Sequence, residues 1–313
     1  MVIECGKLTM LERFEVGSLT WIDALNPTSD EVREILEELD IKPHLASDLT
    51  SPTRRAGAES TEKTLKVSFG YPVAKKTERN RAHEIKFLVT KNYVVTTHYD
   101  SIEELHRFKK EFEVQAALNK YDTKNATAVH ILFSILHHLM TGLHRQLDYL
   151  DDVTGDIDDA IHAEKESEMV HEISQVNRSV IAFKHTIHAY EHVLSDMHSC
   201  ISKPFGPEFV PYVKDLSRSY HQIARRIRAL SDTVDELRDT NLGILSTKQN
   251  EVMKILTIMA FITFPLTLFT SMFGMNTKTT PIVGQTGDFW IILGIMVIVC
   301  IGFFGYFRYK NWI

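Results

Sequence analysis

The rhythm of apolar and polar positions changes along the chain. Over the first hundred residues apolar side chains alternate with polar ones or form short β-branched runs, which predicts strands at 8–16, 19–22, 64–71, 83–89 and 93–98. Between them Ser29 opens a helix with Asp30 and Glu31 in its first turn and Val32, Ile35, Leu36 and Leu39 on one face. A second short helix is expected near 45–49, and 51–58, with Pro52 and Gly57, reads as a loop. After Ser101 the two-residue period stops. Val129, Leu136, Leu143 and Leu150 recur at seven, with Met140 and Leu147 between them. Residues 163–168 break that stripe, and a second one follows through Met169, Ile173, Val176, Val180, Phe183, Ile187, Tyr190, Leu194 and Met197. Two such helices predict an antiparallel hairpin, ended by Lys203-Pro204-Phe205-Gly206-Pro207. Pro211 suits the first turn of a third helix, and only Pro265 interrupts the pattern before Gly274. Unbroken, that helix would be roughly 95 Å long, with a kink expected at the proline.

The last quarter is different in kind. Residues 252–273 are mostly Ile, Leu, Met and Phe, and 289–307 carry no charge. About 20 apolar residues cross a bilayer as a helix, and both runs qualify. Lys248 and Lys254 flank the first run on its N-terminal side, Arg308 and Lys310 follow the second, and the 276–288 link holds only Lys278 and Asp288. Positive charge favours the cytoplasmic side, so both termini are expected in the cytoplasm of a multi-pass plasma-membrane protein.

The organisation read from these patterns is an α+β cytoplasmic domain (1–123), a helical hairpin (124–206), a stalk helix (207–251), a first transmembrane helix (252–273), an external loop (274–288), a second transmembrane helix (289–307) and a basic tail (308–313). Composition changes this little. The 313 residues carry a net charge of -6 and are 44% hydrophobic, an average over two membrane segments and a polar remainder. No secretory signal is expected at the N-terminus. Cys5, Cys200 and Cys300 have no paired or metal-type spacing. The first domain holds no nucleotide loop or nucleophile elbow, so no enzyme, no organic cofactor and no nucleic-acid partner are expected.

Gly274-Met275-Asn276, at the end of the first crossing, resembles the signature of the CorA family of divalent-cation channels. Asn250-Glu251-Val252-Met253-Lys254-Ile255-Leu256-Thr257 is similar to that family's entry into the first span. So are Phe264-Pro265-Leu266-Thr267 to its middle, Phe289-Trp290 to the start of the second span, and residues 308–313 to its basic-aromatic tail. The resemblance implies a funnel-shaped homopentamer that passes Mg²⁺, and with it Co²⁺ or Ni²⁺, through a filter of Gly274, Met275 and Asn276. It implies an inner pore that Asn250 and Asp239 line. It also implies a regulatory Mg²⁺ at Asp215, matched by its spacing to Asn250. Two positions depart from the family pattern. Lys278 stands where an acid usually follows the triplet, and Lys75 and Lys76 stand near the expected partner of Asp215, with Glu78 the nearest acid. A Zn²⁺ transporter of the same superfamily is the alternative, against which Met275 is kept.

Physics leads to an oligomer independently, because two spans cannot enclose a channel and one must be repeated about an axis. Asn250, Met253, Leu256, Ala260, Phe264, Thr267, Ser271 and Gly274 advance by three or four and share one face, the expected pore lining. Ile255, Ile258, Ile262 and Leu266 are expected to face the second span. Met253 and Leu256 would form apolar rings that gate by dewetting. The plain reading of the span's threonines is that they bond carbonyls of their own helix. Of another class is the reading in which the spans only tether a coiled-coil scaffold. His130, His137 and His144, against His171, His185 and His192, read as solvated or inter-layer residues rather than metal ligands, and the acids from Asp148 to Glu168 as a solvated tip.

Overall fold

The structure is a computed structural model. It describes residues 10–39, 41, 49, 52–53, 55–74, 82–117, 127–275, 287–310 and 312. The chain forms two compact units, Met1–Arg238 and Asp239–Ile313.

The first unit is built on a mixed six-stranded sheet. Its strands are β1 (Met10–Val16), β2 (Leu19–Leu25), β3 (Gly57–Ser60), β4 (Leu65–Tyr71), β5 (His83–Val89) and β6 (Tyr93–His98), in the order β1-β2-β6-β5-β4-β3. Only β2 and β6 run parallel, with Ile22 opposite Val95. Side chains alternate between the sheet's faces. Ile22, Leu88 and Val95 point to one face and pack with Val32, Ile35 and Leu36 of α1 (Ser29–Glu38). Thr28 caps α1, its hydroxyl accepting from the Glu31 N–H while the Glu31 carboxylate accepts from the Thr28 N–H at 2.7 Å. The other face carries Trp21, Phe69 and Phe87. Trp21 is fully buried, stacked on Phe14 and edge-on to Phe108 and Phe112 of α2 (Glu103–Ala117). Phe69 meets Tyr190 of α4 (Glu166–Cys200).

The heptad stripe is α3 (Ala128–His162), and Val129, Leu136, Met140, Leu143, Leu147 and Leu150 are all buried. Glu164, at φ 64°, takes the left-handed backbone between α3 and α4. A four-residue helix, α5 (Ser202–Phe205), and a single 3₁₀ turn (Pro207–Phe209) lead to α6 (Val210–Phe273), which keeps its helical assignment through Pro265. In the first unit α6 buries Val213, Leu216, Tyr220, Ile223, Ile227, Leu230 and Val234. The acidic tip is not wholly solvated. Arg226 of α6 reaches Asp148 at 2.7 Å and Asp151 at 2.6 Å.

One expectation fails in the sheet. The loop read over 51–58 gives way at Gly57 to β3, which pairs with β4 from Gly57 opposite Ser68 to Ser60 opposite Leu65. Gly-Ala-Glu-Ser lacks the β-branched residues that announce a strand, and pairing with β4 overrides that weak local preference. The short helix expected near 45–49, like Lys75, Lys76 and Glu78, lies outside the described residues save for Leu49.

Charge is buried where β2, β6 and α2 meet. Asp23 is 1% exposed. It accepts from the Thr96 hydroxyl, faces His98 Nε2 at 3.2 Å and pairs with Lys109 Nζ at 2.5 Å. Lys109 also reaches Glu12 at 2.6 Å. Burial alone would raise the Asp23 pKa, but His98 and Lys109 overcome it and hold the carboxyl below its ordinary value. Burial likewise works against the charged imidazole, and Asp23 outweighs it, so the His98 pKa is raised. The geometry explains why. His98 Nδ1 faces the Asp100 carbonyl at 2.7 Å and can only donate there. A neutral ring would therefore turn a lone pair toward the Asp23 carboxylate.

Asp23 adds stability above its ordinary pKa of 3.8, lost only on strong acidification. His98 adds stability that is complete below 6.5 and is lost as pH rises through its raised value. The melting temperature of the protein should therefore fall as pH climbs above that ordinary value, and Asp23→Asn should flatten the decline. Equal pH slopes in parent and variant would remove this pair from the account.

Candidate pore-lining face

In the second unit α6 runs on to Phe273 and α7 (Asp288–Tyr309) follows. Both carry a stretch long and apolar enough to cross a membrane, with a mean hydropathy of 2.0 and 2.5 over the best window. In lipid the backbone must satisfy itself, and a continuous helix does so.

The two helices meet through the rings of Phe261 and Phe307. Within the two apolar stretches Ile258 of α6 and Phe307 of α7 are buried, at 7% and 4% exposure. Phe307 meets Phe261 edge-on, with ring centroids 6.2 Å apart. Along α6 the partly covered positions continue through Lys254, Ile262, Pro265, Leu266, Phe269 and Phe273. At about 100° per residue these project to one side of the helix, whereas Thr257 and Ala260, also partly covered, do not. Ile258, Ile262 and Leu266 lie on the face expected of them, while Ile255 does not and is 58% exposed.

The stripe read as pore-lining lies nearly opposite the covered one. Met253 is 55% exposed, Leu256 53% and Phe264 74%. Asn250, Thr267, Ser271 and Gly274 are exposed too, with Ala260 half-covered. Large apolar side chains open on a side that α7 leaves uncovered need another apolar or enclosed surrounding.

The threonines behave as the plain reading expects. Thr257 donates to the Met253 carbonyl at 2.7 Å, Thr263 to Met259 at 2.9 Å, Thr267 to Thr263 at 2.8 Å and Thr270 to Thr267 at 2.9 Å. Each hydroxyl proton is thus spent within the helix, and the oxygen's remaining lone pair is what an approaching hydrated cation would meet.

At its end α6 stops at Phe273, and the Gly274 N–H donates to the Thr270 carbonyl at 2.9 Å. A Cβ on Gly274 would stand 3.0 Å from that same carbonyl oxygen, so a side chain there would crowd the last turn. Met275 is 60% exposed. Asn276 and Lys278 lie outside the described residues. Asp239, at the start of this unit, is exposed.

Asp215 belongs to the first unit. It is exposed and paired with Arg218 three residues on. Among the described residues no group of three or more His, Cys, Asp or Glu side chains is placed to hold a metal. The histidines fit that result. His130 caps α3 through Thr127 and lies against Phe209 and Tyr212. The sequence reading missed the Phe261–Phe307 contact and the Asp23–His98–Lys109 cluster. The first could have been found from the phase of the two aromatics relative to Ile258. The second had no local signal, because its members come from separate elements.

Comparison with known proteins gives the geometry its context. The model of the family described as CorA-like Mg²⁺ transporter protein matches residues 16–309. The cobalt/magnesium transport protein CorA of Thermotoga maritima is 25% identical over 302 residues, covering 94% of this chain and 83% of that one. The protein of the same description from Methanocaldococcus jannaschii is 22% identical over 303 residues, covering 96% and 93%. The solved CorA magnesium transporter from Methanocaldococcus jannaschii superposes with a TM-score of 0.82 over 96% of this chain and 93% of that one, at 20% identity, a likeness of fold. These relatives are membrane transporters and not enzymes. Matched from the last residue of β1 to the end of α7, the chain belongs to the CorA-like Mg²⁺ transporter family.

Proposed function

We propose that this chain forms a passive, potential-driven channel for divalent cations, with Mg²⁺ as its main substrate and Co²⁺ or Ni²⁺ as others. The observation that carries the reading is the largely exposed stripe of α6, which runs from Asn250 to Gly274 opposite the more covered side of the helix. Several copies arranged about an axis would enclose that stripe, and the family implies five. The curated relatives named for cobalt and magnesium transport support the choice of ion.

Mg²⁺ is small and gives up water reluctantly, so a selective mouth works best on the hydrated ion. A ring of Asn276 offers amide oxygens without fixed charge, and the Gly274 carbonyls add acceptors. Such a ring holds the ion loosely enough to let it leave. Farther along the stripe, Met253 and Leu256 form apolar rings, and Asn250 and Asp239 line the inner pore. Dewetting at the apolar rings closes the path. A divalent ion entering a negative cell gains about 4.6 kcal/mol per 100 mV, so influx needs no nucleotide site. The protein lies in the plasma membrane with both termini in the cytoplasm, as the flanking Lys254, Arg308 and Lys310 favour.

Cytoplasmic Mg²⁺ closes this channel through Asp215, but weakly. The Asp215 carboxylate is 63% exposed and already engaged by Arg218, so a cation there must displace a guanidinium. Affinity of a hard-cation site follows the number of charged ligands.

In proteoliposomes, Asn276→Ala should lose selective Mg²⁺ uptake while the oligomer still assembles, and Leu256→Asn should raise the resting leak by wetting the narrow ring. Normal uptake by the first variant and an unchanged leak in the second would both count against the stripe as the path. Raising Mg²⁺ on the inner side should lower current in the parent modestly, and less in Asp215→Ala. Strong inhibition that is identical in both would remove Asp215 as the sensor.

A further inference from the structure

We infer that the end of the helix pair where α7 finishes is a binding site for the headgroup of an anionic phospholipid, held by Lys254, Arg308 and Lys310 and flanked by Tyr309 and Trp312.

The chain does not trail away after α7. The Trp312 N–H donates to the Phe307 carbonyl at 3.0 Å, and the Trp312 ring stacks on Phe307 with centroids 5.8 Å apart and planes 20° from parallel. Phe307 is itself buried against Phe261. This hook fixes the segment that carries Arg308, Tyr309 and Lys310 beside α6. Lys254 lies seven residues before Phe261, about 10 Å along the helix, on the side that α7 partly covers. Long cationic side chains from both helices therefore reach one level, where the apolar stretches end and a headgroup layer begins.

Charge on this corner is uncompensated. Among the described residues no carboxylate pairs with Lys254, Arg308 or Lys310. Glu251, one turn before Lys254, is exposed and forms no ion pair with it. In the first unit, by contrast, Arg13, Arg107 and Arg226 each hold a carboxylate. Tyr309 is 85% exposed and Trp312 42%. Aromatic rings of this kind sit at the headgroup level, and a phosphodiester supplies the anion that three unpaired cations lack. A zwitterionic headgroup brings its own cation and matches the corner less well. The inference needs the spans to lie in a membrane and does not depend on which ion the protein carries.

The test is lipid retention, which does not read transport. The full-length protein is reconstituted in equimolar phosphatidylcholine and phosphatidylglycerol and extracted gently, and its bound lipids are identified by native mass spectrometry. The parent should retain phosphatidylglycerol over phosphatidylcholine. Lys254→Gln, Arg308→Gln and Lys310→Gln should each lower that preference by roughly 5-fold, the worth of one basic residue near an anionic surface. Phosphatidylglycerol should also raise the melting temperature of the parent and not that of the triple variant, which guards against loss through misfolding. Equal retention of the two lipids by the parent, undiminished retention by the variants, or equal stabilisation by inorganic phosphate would each overturn the site.

Discussion

A transmembrane helix paired with a single partner keeps most of its circumference open, and that constraint governs the second unit. α7 meets α6 through Phe307 and Phe261; along α6, Ile258, Ile262, Leu266 and Phe269 are the more covered positions, and the opposite side is largely exposed. Within lipid, a helix gains nothing by burying apolar side chains against other apolar side chains, since lipid tails serve as well. The covered side is therefore set by packing, with Phe261 against Phe307 near the end of α7. The open side is free to carry what function needs. There the helix places hydroxyls and a terminal glycine among Met253, Leu256 and Phe264. The Thr267 hydroxyl proton there is already spent on the Thr263 carbonyl of its own helix.

The first unit is organised differently, around a sheet. Its sheet has helices on both faces, and its central strands are accordingly buried on both. Into that setting the fold admits Asp23, His98 and Lys109, charges that would be costly alone and are tolerable only together. Removing one partner would leave another charge buried without compensation. The α3–α4 hairpin and the first part of α6 are simpler, held by continuous apolar stripes and tied at the surface by Arg226.

Much of this was legible because the signals are periodic. The strands from Leu65 and His83 onward, the stripes of α3 and α4 and both apolar spans follow from spacing that no tertiary contact had to rescue. Gly57–Ser60 was not legible, since small and polar residues form a strand there only through pairing with β4. Nor was the Asp23 cluster, since Asp23 lies 75 positions before His98. At the candidate site, the phase of α6 could be read from the sequence, and the side so picked out is the exposed one, Ala260 excepted. Ile255 shows the limit of such reasoning, because helical phase does not say how far a single partner helix extends along each side.

The central claim is that the uncovered stripe of α6 encloses a passive path for a divalent ion, and the reversal potential tests it most directly. With the protein in a planar bilayer and Mg²⁺ as the permeant ion, a tenfold gradient of Mg²⁺ should shift the reversal potential by about 30 mV, the value for two charges moving without coupling. No Mg²⁺ current, or a shift near twice that size, would contradict the account.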